Sequence, residues 1–144
     1  MPTTISIDAS VAIKAIIEEP HSGLARQIVS AYDLLLTPAH AYAEIAEVVL
    51  RKTQAGLIQQ DQAAIALQRL PKILTMVALD TIMLDAFRIG LTLKHSVYDC
   101  LYIAAARLHG VKLITADKRL LAKTAQSEFA ATVIDIANSD KLPV

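Results

Sequence analysis

The stretch between residues 96 and 117 constrains the fold most, because it places a carboxylate near each end of a helix-strand unit. Positions 97–106 are mostly apolar, and Gly110 stands where a glycine usually ends a helix. Asp99 falls in the first helical turn, and the short apolar strand at 113–114 leads to Asp117. We therefore expect a helix-strand-helix unit that carries one acid at each of its two polar ends.

The rest of the chain alternates short apolar segments with segments of helical periodicity. We predict strands at 4–7, 34–36, 73–79, 113–114 and 131–134, and helices at 9–17, 22–32, 39–55, 59–70, 81–93, 96–109 and 118–124, with Pro71 ending the fourth helix. This alternation predicts an α/β fold with a largely parallel central sheet. Functional groups in such sheets collect beyond the carboxyl ends of the strands, which is where Asp8 and Asp117 fall.

Length and composition predict one domain over residues 1–144. A hydrophobic content of 54% with 19% charged residues excludes a disordered chain. No apolar run reaches the length of a membrane span, and the first residues lack signal-peptide character, so we expect a cytoplasmic protein without a membrane partner. Cys100 is the single cysteine, which excludes an intramolecular disulfide and disfavours a thiol-based zinc site.

The formal net charge of zero at first argues against a nucleic-acid partner. The distribution of charge changes that inference, because five of the fourteen acids fall in a few short segments: Asp8, Glu44, Glu47, Asp99 and Asp117. Without them, fourteen Lys and Arg residues face nine acids. Overall neutrality is therefore compatible with an acidic pocket rimmed by basic side chains, although it does not require one.

Each acid taken alone has an ordinary structural explanation. Asp8 and Asp117 immediately precede predicted helices, where Asp is among the best N-caps. Asp99 lies three residues after Ser96, which resembles a capping box. Glu44 fits the solvated face of the third helix.

The combination of these acids has a second explanation, which is a site for a hard cation. Carboxylates packed within a few ångströms repel one another, so at least one would be protonated unless a cation neutralised them. Oxygen ligands of this kind suit Mg²⁺ or Mn²⁺. Such an ion acidifies and aims a water molecule, and it stabilises the charge that develops on a phosphodiester.

Four segments, in the same order along the chain, resemble those of PIN-domain ribonucleases of the VapC toxin type: residues 7–10, 44–50, 97–106 and 113–120. The resemblance runs essentially from end to end and implies a PIN-like three-layer sandwich. It implies an endoribonuclease dependent on Mg²⁺ or Mn²⁺, whose catalytic and metal-binding residues are Asp8, Glu44, Asp99 and Asp117. It also implies RNA as substrate, a homodimer, and inhibition by a cognate antitoxin.

Two positions depart from the family pattern. Glu47 stands where the family commonly has Asn, and it is either an additional metal ligand or an i,i+4 partner of Arg51. Cys100 replaces the usual small residue after the third acid, which should change little.

Other polar side chains near the motifs have both a functional and a structural explanation. Ser10 and Thr115 either orient a water or carboxylate, or bond the local backbone. The basic residues near the motif acids are candidate RNA phosphate contacts, or ordinary helix-surface charges: Lys14, Arg51, Lys52, Lys118 and Arg119. The four histidines match no family ligand and are interpreted as structural or surface residues, with His95 the one adjacent to a motif.

Two other functions stay open at this point. A haloacid-dehalogenase-like phosphatase also has an Asp after its first strand, but it requires a second acid two residues later, where this chain has Ser10. A binding module that has kept the fold and lost activity is the other alternative. The sequence does not identify the RNA target, because RNA recognition depends on surface shape and loop contacts.

Overall fold

The computed structural model describes residues 3–141, in which five strands form one parallel sheet of order β3-β2-β1-β4-β5. The strands are β1 Thr4–Ile7, β2 Leu34–Pro38, β3 Leu74–Val77, β4 Leu113–Thr115 and β5 Val133–Asp135. The α-helices are α1 Ala9–Ile16, α2 Ser22–Ala31, α3 His40–Gln54, α4 Gln60–Ile73, α5 Met83–Leu93, α6 Val97–His109 and α7 Lys118–Thr124, with 3₁₀ helices at Leu79–Thr81 and Ile136–Lys141. The predicted three-layer α/β sandwich is confirmed.

The interior strands β1 and β4 are largely apolar because helices cover both faces of the sheet. Ile5 and Ile7 of β1 and Leu113 and Ile114 of β4 are almost completely buried. Helix α6 packs on β1, β2 and β4, while α1 packs on β1 and β4 and contacts α2 and α3. Since Ile7 pairs with Ile114, β1 and β4 end at the same edge of the sheet, and the residues that follow them meet there.

The prediction that Pro71 ends the fourth helix is wrong, because α4 continues through it to Ile73. Proline has no N–H to donate to the carbonyl four residues earlier, so the Leu67 carbonyl loses its helical partner. The Tyr42 hydroxyl of α3 donates to that carbonyl at 2.8 Å. A side chain from a neighbouring helix thus satisfies the group that the proline leaves free.

Other element boundaries also differ from the predictions. Strand β3 begins at Leu74 and ends at Val77, and the residues after it form a 3₁₀ turn before α5. The last strand is displaced to Val133–Asp135, and the 3₁₀ helix after it was not predicted. Leu50 of α3 and Ile65 of α4 are large apolar residues that are exposed. Within residues 3–141, no helix combines the length and apolarity needed to cross a bilayer.

The turn between α5 and α6 is held tightly, and it fixes the residues that precede α6. Lys94 ends α5 in the left-handed conformation, at φ 53°. The His95 N–H then donates to the Gly90 carbonyl at 3.2 Å. A Cβ on Gly90 would lie 3.1 Å from the His95 carbonyl oxygen, so the close approach of this turn to α5 favours glycine at that position.

Candidate active site at the sheet edge

Asp8 and Asp117, the strand-end acids, follow adjacent strands and are connected by two hydroxyl groups. Ser10 donates to Asp8 Oδ1 at 2.5 Å and accepts from the Ala116 N–H at 3.0 Å. Thr115 donates to Asp8 Oδ2 and accepts from the Asp117 N–H at 2.9 Å. Ser10 and Thr115 therefore orient Asp8 and join the turns after β1 and β4.

Both strand-end acids also cap helices, as their positions predicted. Asp8 Oδ1 accepts from the Val11 N–H at 3.2 Å, and Asp117 Oδ1 accepts from the N–H groups of Arg119 and Leu120 at 2.9 and 3.3 Å. Capping does not compete with a second role, because a carboxylate has about four lone-pair sites. Asp117 Oδ2 has no hydrogen-bond partner within the described part of the chain.

The Asp8 carboxylate is buried, and burial makes its ionised form unfavourable. The residue as a whole is 5% exposed. Burial raises the pKa of Asp8 from 3.8 to about 6, and the nearby charge of Asp117 raises it further, against the lowering effect of the hydrogen bonds from Ser10, Thr115 and Val11. An uncompensated negative charge is thus concentrated at the ends of β1 and β4.

Glu44, on the second turn of α3, is held by side chains rather than by the backbone. Tyr102 of α6 donates to Glu44 Oε2 at 2.8 Å, and the His40 Nε2 lies 3.4 Å from Glu44 Oε1. Burial and the charge of Glu44 raise the pKa of Tyr102, and the charge of Asp8 adds to this effect. Tyr102 therefore holds Glu44, and it lies close enough to Asp8 for the Asp8 charge to act on its hydroxyl.

Asp99, on the first turn of α6, is bound by the histidine that the sequence analysis had singled out. His95 Nε2 lies 2.7 Å from Asp99 Oδ2, and the His95 side chain is 5% exposed. The expected capping box is not formed, because Ser96 accepts from the Tyr98 N–H and Asp99 bonds to His95. The Asp99 carboxylate is consequently anchored to the turn between α5 and α6.

Asp99 also lines an open cleft of about 700 Å³ between that turn and α7. Three basic residues share this cleft with it: Lys94, Arg119 and Lys123. Of these, only Arg119 had been proposed as a phosphate contact. Lys94 and Lys123 were missed, because the sequence does not show that the turn before α6 faces α7.

Several of the other candidate residues have structural partners. Lys14 and Lys52 lie 3.4 and 3.8 Å from the carboxylate oxygens of Glu19. Arg51 pairs with Glu47 at 3.8 Å on the exposed face of α3, which is the helix-supporting arrangement considered from the sequence. Lys118 is exposed at the start of α7.

The carboxylate oxygens at the sheet edge are the kind of ligand that a hard divalent cation prefers, although they do not form a complete set of metal ligands by themselves. Among the residues described, no three His, Cys, Asp or Glu side chains are grouped so that they could hold one metal. Mg²⁺ does not require such a cage, because it keeps several waters and is commonly bound by one or two carboxylates with substrate phosphate. Within this same part of the chain, no Lys or Arg side chain forms an ion pair with Asp8, Glu44, Asp99 or Asp117.

The parallel strand order β3-β2-β1-β4-β5 and the positions of the acids indicate the class of protein. Two of the acids follow β1 and β4, and the other two lie on α3 and α6. The family model described as PIN domain matches residues 5–126, and the chain belongs to this family. Among characterised relatives, it is 34% identical over 122 residues to Ribonuclease VapC3 of Pyrobaculum aerophilum, an alignment that covers 81% of this chain and 92% of that protein.

Solved structures with lower identity share the fold. PAE2754 from Pyrobaculum aerophilum superposes with a TM-score of 0.70 at 18% identity, over 96% of this chain and 93% of that one. VapC20 of Mycobacterium tuberculosis, described as a toxin that cleaves the sarcin-ricin loop, gives 0.65 at 16% identity, over 83% and 95% of the two chains. A toxin-antitoxin complex from Klebsiella pneumoniae gives 0.60 at 15% identity, over 92% and 97%.

Proposed function

We propose that this protein is a metal-dependent endoribonuclease and the toxin of a toxin-antitoxin pair. The observation that carries the proposal is the pair of strand-end acids, in which buried Asp8 faces the charge of Asp117 without a basic partner among the described residues. A divalent cation relieves this repulsion. The likeness to Ribonuclease VapC3 supports RNA as the substrate.

Asp8 and Asp117 would hold the ion, with Asp99 and Glu44 as further carboxylates toward it or its waters. The ion is Mg²⁺ or Mn²⁺, which would supply an acidified water and stabilise charge on the phosphodiester. The protein contributes orientation. Ser10 and Thr115 fix the Asp8 carboxylate, Tyr102 fixes Glu44 and His95 fixes Asp99. Glu47 has no place in this arrangement, because it is exposed and paired with Arg51.

The direct test is cleavage of a labelled single-stranded RNA pool in Mg²⁺ by the parent and by Asp99→Asn. We expect Asp99→Asn to lose cleavage while it keeps the parent's unfolding transition. Asp61→Asn, which neutralises an exposed acid on α4, is the matched control and should cleave like the parent. Equal cleavage by Asp99→Asn and the parent would refute the role of the acids.

An inactive binding module with the same fold is the principal alternative. Calorimetric titration with Mn²⁺ separates the two, because an inert module should show no heat that depends on Asp8, whereas the nuclease should lose Mn²⁺ binding in Asp8→Asn. The phosphatase alternative is weaker still. Ser10 stands where that chemistry needs an acid, and its hydroxyl is engaged by Asp8 and the Ala116 N–H.

An apolar groove of about 640 Å³ between α1, α2 and α4 supports an antitoxin partner. Its lining includes Ile16, Val29 and Ala66, which suits the apolar face of an incoming helix. The toxin-antitoxin complex among the structural neighbours agrees with a protein inhibitor. Ala66→Glu should abolish co-purification with the antitoxin while RNA cleavage is retained. Co-purification at the parent level would exclude this groove.

A homodimer is supported by an apolar stripe on α5. Leu84, Phe87 and Leu91 are spaced to share one helix face and are 61%, 55% and 65% exposed. We expect light scattering to give a dimer for the parent and a monomer for Phe87→Glu. A dimer in both would place the interface elsewhere.

An RNA substrate and an antitoxin partner also support a cytoplasmic location.

A further inference from the structure

We propose that the cleft between the α5–α6 turn and α7 binds the sugar-phosphate backbone of the RNA substrate. The inference rests on the proposed nuclease function and assigns the residues that hold the strand next to the acids: Lys94, Arg119 and Lys123.

The first support is the pairing of the basic residues. Lys14, Lys52 and Arg51 are each within ion-pair distance of a glutamate. Lys94, Arg119 and Lys123 form no ion pair with any side chain that the structure describes. Cations that already have protein partners contribute less to phosphate binding than free ones, because they must first give up those partners. The structure therefore separates the three cleft residues from most of the earlier candidates.

The second support is the geometry of the two walls. Arg119 and Lys123 are four residues apart on α7 and lie on the same face, where like charges repel. Lys94 faces them from the opposite wall, at a left-handed position that the bond between the His95 N–H and the Gly90 carbonyl holds in place. Lys94, Arg119 and Lys123 line one cleft and none of them forms an ion pair with a described side chain, so their mutual repulsion is unfavourable in the free protein and is relieved by a bound polyanion.

The third support is the position of Asp99 on the same cleft. Its Oδ2 is bound by His95, and its Oδ1 has no hydrogen-bond partner within the described residues. A strand held by the basic walls would thus pass next to a candidate catalytic carboxylate. An acidic peptide would satisfy the same cations, but it would gain nothing from the adjacent acid.

The test is the salt dependence of RNA binding, measured by fluorescence anisotropy with a labelled single-stranded RNA pool in EDTA, so that metal-dependent cleavage is absent. The variant is Lys94→Asn, Arg119→Gln and Lys123→Gln together. Asn is chosen at position 94 because it tolerates the left-handed conformation. The control is Arg69→Gln, Lys72→Gln and Arg88→Gln, which makes the same change in net charge at residues outside the cleft.

Each phosphate contact to a single strand contributes about 0.7 to the slope of log Kd against log salt, so the cleft variant should lose about 2 from that slope. Between about 50 and 200 mM salt, the parent should then lose roughly 20-fold more affinity than the cleft variant. The control should keep the parent slope. Lys94→Asn alone should lose about 0.7.

A cleft variant with the parent slope would overturn the proposal, and so would a control that loses as much as the cleft variant. Absence of RNA binding by the parent, or cleft-dependent binding of a poly-glutamate peptide but not of RNA, would also overturn it. Cleavage in Mg²⁺ tests the nuclease function separately. A parent that cleaves RNA but binds it without these residues would refute the cleft assignment alone.

Discussion

The strand-end acids and the helix acids, Glu44 and Asp99, are held in two different ways. Asp8 and Asp117 accept hydrogen bonds from backbone N–H groups and Asp8 also from two hydroxyls, all from residues close to the ends of β1 and β4. Glu44 and Asp99 are held by the rings of Tyr102 and His95. The strand-end acids depend on the sheet register, whereas the helix acids depend on side chains that the helices bring into contact.

The difference also concerns access to water. Asp8 is nearly inaccessible, so its charge is costly and its pKa is raised. The side chains of Glu44 and Asp99 are 38% and 32% exposed and can be hydrated. Ionising a buried carboxylate next to another acid costs free energy, and a bound cation lowers that cost. The cost is much smaller for an exposed carboxylate, because water solvates its charge. We therefore expect substitution of Asp8, the buried member of the strand-end pair, to have the largest effect.

The largest expected effect is that of Asp8→Asn. Loss of a carboxylate that we propose as a metal ligand should reduce RNA cleavage in Mg²⁺ by more than about a hundredfold, since metal-ion stabilisation of the reacting charge amounts to several kcal/mol. The same substitution should leave the metal-free protein at least as stable as the parent at pH 8, because a neutral amide avoids the cost of a buried charge. Urea unfolding in EDTA measures this second effect. A marked destabilisation would show that Asp8 acts mainly as a structural cap.

The second prediction concerns the pH dependence of the metal-free fold. The Asp8 pKa is raised from 3.8 to about 6, so the folded state binds more protons than the unfolded state between these values. The contribution of Asp8 to stability is therefore complete below about pH 3.8 and is lost as pH rises through about 6. The parent should lose up to about 3 kcal/mol of unfolding free energy across this window relative to Asp8→Asn. A pH-independent difference between the two proteins would contradict the raised pKa.

How much of this could be predicted from sequence depends on how local the cause is. Asp8 and Asp117 each follow a short apolar strand and precede a helix, so their positions could be predicted from neighbouring residues alone. Gly110 likewise ends α6 in the left-handed conformation, as its position indicated. Each of these features depends on a few consecutive residues and on the capping rules that govern them.

Features that depend on distant partners could not be predicted. The continuation of α4 through Pro71 depends on the Tyr42 hydroxyl, which reaches the Leu67 carbonyl from a position 25 residues away. Tyr102 and Glu44 are separated by 58 residues. The basic cleft depends on which cations are paired, and the sequence does not show that Glu19 engages Lys14 and Lys52.

The third prediction compares the Thr115 hydroxyl, which binds the strand-end acid Asp8, with the Tyr102 hydroxyl, which binds the helix acid Glu44. Thr115→Val keeps the shape of the side chain but removes a donor to Asp8 and an acceptor for the Asp117 N–H, in a fully buried position. It should cost about 1–3 kcal/mol of unfolding free energy at pH 8. Tyr102→Phe removes one hydrogen bond to Glu44, whose carboxylate can be hydrated, and should cost about 1 kcal/mol or less. Urea unfolding of both variants in EDTA measures the two losses of unfolding free energy. Equal losses would show that the strand-end acids and the helix acids do not differ in how strongly their hydrogen bonds stabilise the fold.

The last prediction concerns the effect of His95 on metal binding through Asp99. His95→Ala removes the group that anchors Asp99 Oδ2, and loss of such a supporting partner should weaken Mn²⁺ binding by about tenfold in calorimetric titration. His95→Gln places an amide donor near the position of Nε2 and should recover part of the affinity. Recovery by Gln but not by Ala would show that His95 acts by orienting Asp99. If the Mn²⁺ affinity is unchanged in both variants, Asp99 does not depend on His95 for its orientation toward the cation.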